Sequence, residues 1–197
     1  MKVLIIIILT VINVSVLFSQ IKMDITLNYN LPQSTEFKNN FQNGEGIVAE
    51  IHHFYKNTGF SGSVLFGFNS FRAKNSFEEE FKNTNTTIFD YNYELNYYTF
   101  PLILSANYTF FHDKKFNAII SFGFGGNFME FKKKQIGEYT SDTEKEYFNE
   151  LAIYPNIGLS YMFVNDISIL VKGGYNATYG KQKLTYVDIR LGIAYNI

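Results

Sequence analysis

The chain has no cysteine and no tryptophan, and only three of its 197 residues are proline. Without cysteine there is no disulfide framework, no thiolate metal site, no catalytic thiol and no cysteine to carry a lipid anchor. An excess of charge is also missing, since 17 Lys+Arg stand against 18 Asp+Glu. No basic field exists to track phosphates, and nucleic acid is not an expected partner. Beyond Phe18 no stretch approaches the run of about eighteen apolar residues that a spanning helix needs. What is abundant is aromatic: 15 Tyr and 21 Phe, with 14 Gly, a mix that favours strands. The length suits one domain or one small barrel closed on itself.

Residues 1–19 read as a signal peptide: Met1 and Lys2 give a short positive start, Val3 to Phe18 an apolar run, and Ser19 a small residue at the exit. Cleavage is expected before Gln20, leaving 20–197 as the mature domain. The competing reading is an uncleaved anchor, because the run is about as long as a short spanning helix.

Period-two alternation dominates the rest. Val187, Ile189, Leu191, Ile193 and Tyr195 fall on one face of the last segment, Asp188, Arg190, Gly192, Ala194 and Asn196 on the other. The split recurs upstream. Ile167, Ile169, Val171 and Tyr175 oppose Ser168, Lys172, Gly174 and Asn176, with Leu170 the apolar intruder on the polar face. Leu151 to Phe163 and Phe116 to Phe128 repeat it. Segments around Met23 to Tyr29, Ile47 to Tyr55, Phe60 to Asn69 and Leu95 to Tyr108 bring the total to eight strands. Pro101 and Pro155 fall inside proposed strands, where each removes a ladder donor, so bulges and local widening are expected there.

Short and long connections alternate strictly. Lys56 to Gly59, Phe110 to Lys115 and Val164 to Asp166 are tight turns; Leu31 to Gly46, Phe71 to Asp90, Glu130 to Phe148 and Ala177 to Leu184 are longer polar loops at the opposite end. That rhythm predicts an all-β fold, an eight-stranded antiparallel up-and-down transmembrane β-barrel. A soluble lipocalin-like binding barrel would carry its charges on the outer face. Here the polar faces hold mostly Ser, Asn, Thr and Gly, which suit a narrow lumen, while Phe, Leu, Ile and Tyr suit acyl chains.

Thr99-Phe100-Pro101-Leu102-Ile103-Leu104 is similar to a recurring Pro-Leu-Leu strand, and Tyr154-Pro155-Asn156-Ile157-Gly158-Leu159-Ser160-Tyr161-Met162-Phe163 leads into a short turn. With the signal and the terminal strand, the mature chain resembles the small outer-membrane, porin-like β-barrels of OmpA and OmpX type. The resemblance implies a Gram-negative outer membrane, contact with its lipids and lipopolysaccharide, delivery by the barrel-assembly machinery, and a monomer. Such proteins commonly end in an aromatic residue; this chain ends Tyr195-Asn196-Ile197.

The polar faces carry one notable constellation. Lys172 and Asp188 are cross-strand neighbours if Tyr175 pairs with Thr185; Arg190 projects into the same lumen, and Asp24, Glu50 and His52 join them. We read these six as a structural ion-pair plug for charges that cannot reach bulk water. His52 beside Glu50, with Ser63 on the next strand, is the one arrangement that could serve a lipid-modifying enzyme. His53 points outward and His112 sits in a turn. No residue spacing matches a metal loop, no cofactor is implied, Gly123, Gly125 and Gly126 precede no helix, and Glu78 to Glu80 read as a solvated acidic stretch.

The expected function is therefore a structural or interaction role carried by external loops, with no open pore and no catalysis. Phe37, Phe41, Phe77, Phe81 and Tyr139 are read either as exposed recognition residues for an extracellular protein partner or as packing for the loops. A small-solute porin and a lipid-modifying enzyme are the alternatives in the membrane.

Overall fold

A computed structural model of the chain describes residues 20–55, 58–84, 92–137, 141–164, 166–181 and 183–197; residues 1–19, expected to be a signal peptide, and Tyr139 lie outside them. Eight strands form a closed barrel in chain order: β1 (Ile21–Pro32), β2 (Gly44–Phe54), β3 (Phe60–Arg72), β4 (Asn92–Phe110), β5 (Phe116–Ile136), β6 (Ser141–Val164), β7 (Ile167–Tyr179) and β8 (Thr185–Asn196). Every neighbouring pair is antiparallel, and β1 closes on β8 from Lys22 opposite Asn196 to Pro32 opposite Tyr186. Among the described residues no helix is long and apolar enough to cross a membrane.

Alternation decides what faces where. Lys22, Asp24, Thr26, Asn28 and Asn30 of β1 are buried in the lumen, while Ile25, Leu27 and Tyr29 point out. Leu27 and Ile157 are 69% and 66% exposed, and similar residues continue around the wall. Phe60, Phe116, Tyr161, Phe163 and Tyr195 ring the wall towards the short turns, and Phe68, Phe100, Phe128, Tyr147 and Tyr179 towards the loops. A contiguous apolar belt this large is untenable in water and matches the outer face of a transmembrane barrel. At the turn end Phe111 (φ 57°) and Asp166 (φ 69°) adopt left-handed backbone to reverse the chain.

At the prolines the ladder opens locally as expected, but without a bulge. Opposite Pro101 the β3 ladder skips Gly67 and Phe68, and opposite Pro155 the β7 ladder skips two positions, yet on both sides of each gap the register is unchanged. Each proline removes hydrogen bonds to one neighbour and leaves the other pairing continuous. The register shift in β6–β7 lies elsewhere, between Met162 and Val164.

The segment from Glu130 to Phe148, expected to be a loop, is a correction. β5 runs on to Ile136 and β6 starts at Ser141, so the two strands form a ladder well past the apolar belt. Its charges made it look like a loop. They pair across the hairpin and with β4: Lys133 with Glu146, Lys145 Nζ at 3.0 Å from Glu130, and Lys134 Nζ at 3.7 Å from Glu94.

Two other loops contain helices. α1 (Thr35–Asn40) lies between β1 and β2, and α2 (Asn75–Thr84) between β3 and β4. A bridge between Phe41 and Ala73 ties the two connections together, and the Leu95 N–H donates to Glu78 of α2 at 3.2 Å. Phe37 and Phe41 are buried, and Phe77 and Phe81 are half-buried against the same cluster. These four aromatics pack the loops together and do not stand exposed, because the extended hairpin gives them an apolar wall to pack on.

Candidate functional site

The lumen is filled in layers. Nearest the turns is an open vestibule of about 560 Å³, lined by Lys22, Thr109, His112, Asn117, Ser160 and Ser168 among others. Above it lies the charged layer. Lys172 donates to Asp24 Oδ2 and to Glu50 Oε2, each at 2.7 Å. His52 Nε2 lies 2.9 Å from the same Asp24 oxygen, and Lys22 Nζ is 3.6 Å from the other. Arg190 reaches Glu50 at 3.7 Å and Asp188 at 3.5 Å, and its guanidinium lies over the Tyr154 ring, 5.0 Å from the centroid. The Tyr154 hydroxyl donates to the Asp188 carboxylate, 2.6 and 2.7 Å from its two oxygens.

The six residues singled out from sequence thus share one layer, but one pairing differs. Tyr175 lies opposite Val187, not Thr185, so Lys172 faces Arg190 across the strands and Gly174 faces Asp188. A two-residue offset in the hairpin keeps every side chain on its face and changes every partner. Lys172 therefore turns away from Asp188 and crosses the lumen to β1 and β2. Gly158 makes room for the crossing, since a Cβ there would sit 2.7 Å from Lys172 Cγ, and Gly174 makes room for the Tyr154–Asp188 pair, since a Cβ there would sit 2.1 Å from the Tyr154 hydroxyl.

Lys22, Lys172 and Arg190 balance Asp24, Glu50 and Asp188, all buried. Removing such charges from water is costly unless each is paired and hydrogen-bonded; this layer gives all six an ion-pair partner, while Asp24 Oδ1 and Arg190 Nε and Nη2 accept or donate no hydrogen bond among the described residues. Asp24, Glu50 and His52 bring one ligand atom each within 4.8 Å of one another, a spacing that could hold a cation. No sequence motif signals this trio, because it is assembled by the register that sets Asp24 opposite Glu50 and Lys22 opposite His52. The Lys172 ammonium, bonded to both carboxylates, already fills the cation's place.

The histidine and serine are not arranged for nucleophilic catalysis. Ser63 stands opposite His52, but its hydroxyl donates to Glu50 Oε1 at 2.6 Å, while His52 is turned to Asp24. A serine nucleophile needs a base on its own oxygen and a route for substrate. Ser63, Glu50 and His52 are all buried. His53 lies half-buried on the outward face of β2 and His112 in the β4–β5 turn.

No protein-family model matches the chain, and no curated protein matches it in sequence. Solved structures do. A major outer membrane protein of Thermus thermophilus superposes with a TM-score of 0.57 at 10% identity, over 90% of this chain and 99% of that one. Ail, the attachment invasion locus protein of Yersinia pestis, in complex with the heparin analogue sucrose octasulfate, gives 0.55 at 10% identity over 91% and 99%. The outer membrane protein OprG of Pseudomonas aeruginosa gives 0.54 at 10% over 91% and 96%. The fold is that of the small outer-membrane β-barrels. At such identities the likeness carries architecture alone.

Beyond the charged layer, Val48, Leu65, Ile103 and Ala152 form an apolar layer with Tyr154. An amide layer follows. Asn69 donates to Thr99 at 2.8 Å and to the Tyr186 hydroxyl at 3.2 Å, and it accepts from Asn30 at 3.2 Å and from Asn28. Last comes a cluster that sequence reading missed: Phe71, Leu95, Tyr97, Met129, Leu184 and Tyr186 from the strands and their ends, sealed by Phe37 and Phe41. The signal was present. Phe71, Leu95, Tyr97 and Met129 sit on the lumen-facing parity of their strands, where polar residues are otherwise the rule.

Proposed function

We propose that the chain is an exported, monomeric outer-membrane barrel, freed of residues 1–19, that conducts no solute and works through the surface of its loop-end cap. The observation that carries this reading is the doubly closed lumen. A solute entering the vestibule meets Lys22 and the ion-paired layer, and beyond it an aromatic plug. An eight-stranded interior is just wide enough for side chains to fill. The cap, built from α1, α2 and the β5–β6 extension, is a platform beyond the apolar belt, where recognition by an extracellular protein partner is at home.

Conductance tests the closed lumen. Purified folded barrel in planar bilayers is expected to give no stable steps; regular openings in the wild-type chain overturn the reading in favour of a small-solute porin. The membrane placement is tested by unboiled against boiled gel migration from isolated outer membranes, where a mobility shift is expected. In a strain lacking the barrel, any envelope or attachment defect should be restored by the full chain and not by one whose β5–β6 extension is trimmed to a tight turn. Rescue by the trimmed chain removes the activity from the cap.

A further inference from the structure

The cap is not packed solid. Between α1, α2 and the β5–β6 hairpin it holds a cavity of about 230 Å³. Protein interiors keep few voids larger than a water molecule, and an apolar cavity of about 150 Å³ accepts a benzene ring. Aromatic residues make up much of the lining here. Phe37 and Phe41 are stacked at 4.5 Å between centroids, and Phe77, Phe81, Phe131 and Phe148 line the rest while only half-buried. A space of this size and lining fits one or two fused aromatic rings, which can stack or meet the walls edge-on.

The open side is charged, and its charges are not equivalent. Lys133 is paired with Glu146 and also lies 5.7 and 5.6 Å from the Phe81 and Phe131 centroids. Glu36 belongs to the first turn of α1, where the helix dipole favours an acid. Lys183 is exposed beside the buried Leu184 and has no ion pair among the described residues. Glu36 has no ion pair there either, but the N-terminal turn of α1 meets part of its charge, so Lys183 is the cation of the lining left for an anion.

We propose that this cavity is a binding site for a small planar aromatic carboxylate, with its rings between the phenylalanines of the cap and its carboxylate at Lys183. The site is separate from the charged layer and needs no opening of the lumen. Its ligand arrives from the loop side, so the cap would sense or retain an external aromatic acid without transporting it.

The test uses the full mature barrel in lipid nanodiscs with fluoronaphthoate as probe, followed by fluorine NMR line width, and fluoronaphthylmethanol as its uncharged counterpart. Broadening beyond that of empty nanodiscs, reversed by unlabelled naphthoate, is expected. Asn40 lines the cavity, and Asn40→Trp should fill it and abolish the excess broadening for both probes. Lys183→Gln should weaken naphthoate about fivefold, as a partly exposed ion pair does, and leave the alcohol unchanged. Equal broadening in Asn40→Trp and wild type, or none beyond empty discs, overturns the site. An equal effect of Lys183→Gln on both probes, or on neither, overturns the assignment of the carboxylate. Gel migration checks the folding of both variants, and if Asn40→Trp misfolds, the exposed Lys183→Gln carries the test.

Discussion

The two ends of the lumen solve the problem of filling a barrel in opposite ways. Towards the turns, Lys22, Asp24, Glu50, Lys172, Asp188 and Arg190 fill it with charge. Towards the loops, Phe37, Phe41, Phe71, Leu95, Met129 and Leu184 fill it with apolar groups. The difference follows from the surroundings of each wall. Where the wall faces acyl chains, turning apolar residues inwards gains little over leaving them in lipid, and a polar interior that satisfies itself costs nothing on the outside. Where β5 and β6 rise beyond the apolar belt, the outer face of the hairpin meets water in place of lipid, and burial of its inner face against the cap again drives packing. The cap is built like a small soluble core, and the lower lumen like a cross-linked polar plug.

Breaking the polar plug should do the most damage. Lys172→Met takes the ammonium shared by Asp24 and Glu50 out of the buried layer, leaving Asp24 to Lys22 and His52 and Glu50 to Arg190 at 3.7 Å, and should cost about 3–5 kcal/mol. Urea titration of folded and unfolded gel bands in lipid vesicles would measure it, and adding Asp24→Asn and Glu50→Gln should recover most of the loss. In the cap, Phe41→Ala should cost about 3 kcal/mol, but locally. Hydrogen exchange should quicken through α1 and the Phe41–Ala73 bridge while β1, β7 and β8 stay protected. If protection falls throughout the barrel, the two regions are one cooperative unit and the contrast fails.

Gly174→Ala sharpens the comparison from the lumen side. The new Cβ would push the Tyr154 hydroxyl off Asp188, at a cost of about 1–3 kcal/mol, with no change in exchange within the cap. The smallest effect is expected on the hairpin's outer face. Lys145→Ala removes an exposed pair with Glu130 and should leave the unfolding midpoint where it was.

Much of this contrast could be read in advance, and its failures are physical. Alternation identified all eight strands and their faces because a strand between lipid and lumen must separate apolar from polar residues at period two. The cap was misread for the same reason. Beyond the belt the hairpin carries Lys132, Lys134 and Lys145 outwards, so it loses the apolar stripe that marks a strand and looks like a loop. The six charges could be gathered from their parity, but their partners could not. The Lys172 contacts span 148 and 122 residues of sequence, and the offset that sets them is fixed in the turn at 180–184, where no residue pattern specifies register. Tyr154 was assigned to neither the site nor the lumen, although Pro155 beside it faces out.

The reach of Lys172 has a further meaning for how the barrel is made. It stands on β7, crosses β8, and ends on β1 and β2, so it spans the seam where the first and last strands meet. An open sheet, or one closed out of register, would part the Lys172 ammonium from both of its carboxylates and Glu50 from Arg190 as well, leaving Asp24 only Lys22 and His52. Insertion of the last strand in any wrong alignment is thereby penalised at its centre, and the correct one is rewarded only when the ring is complete. The charged layer acts as a proofreader of closure, written into the wall that it seals.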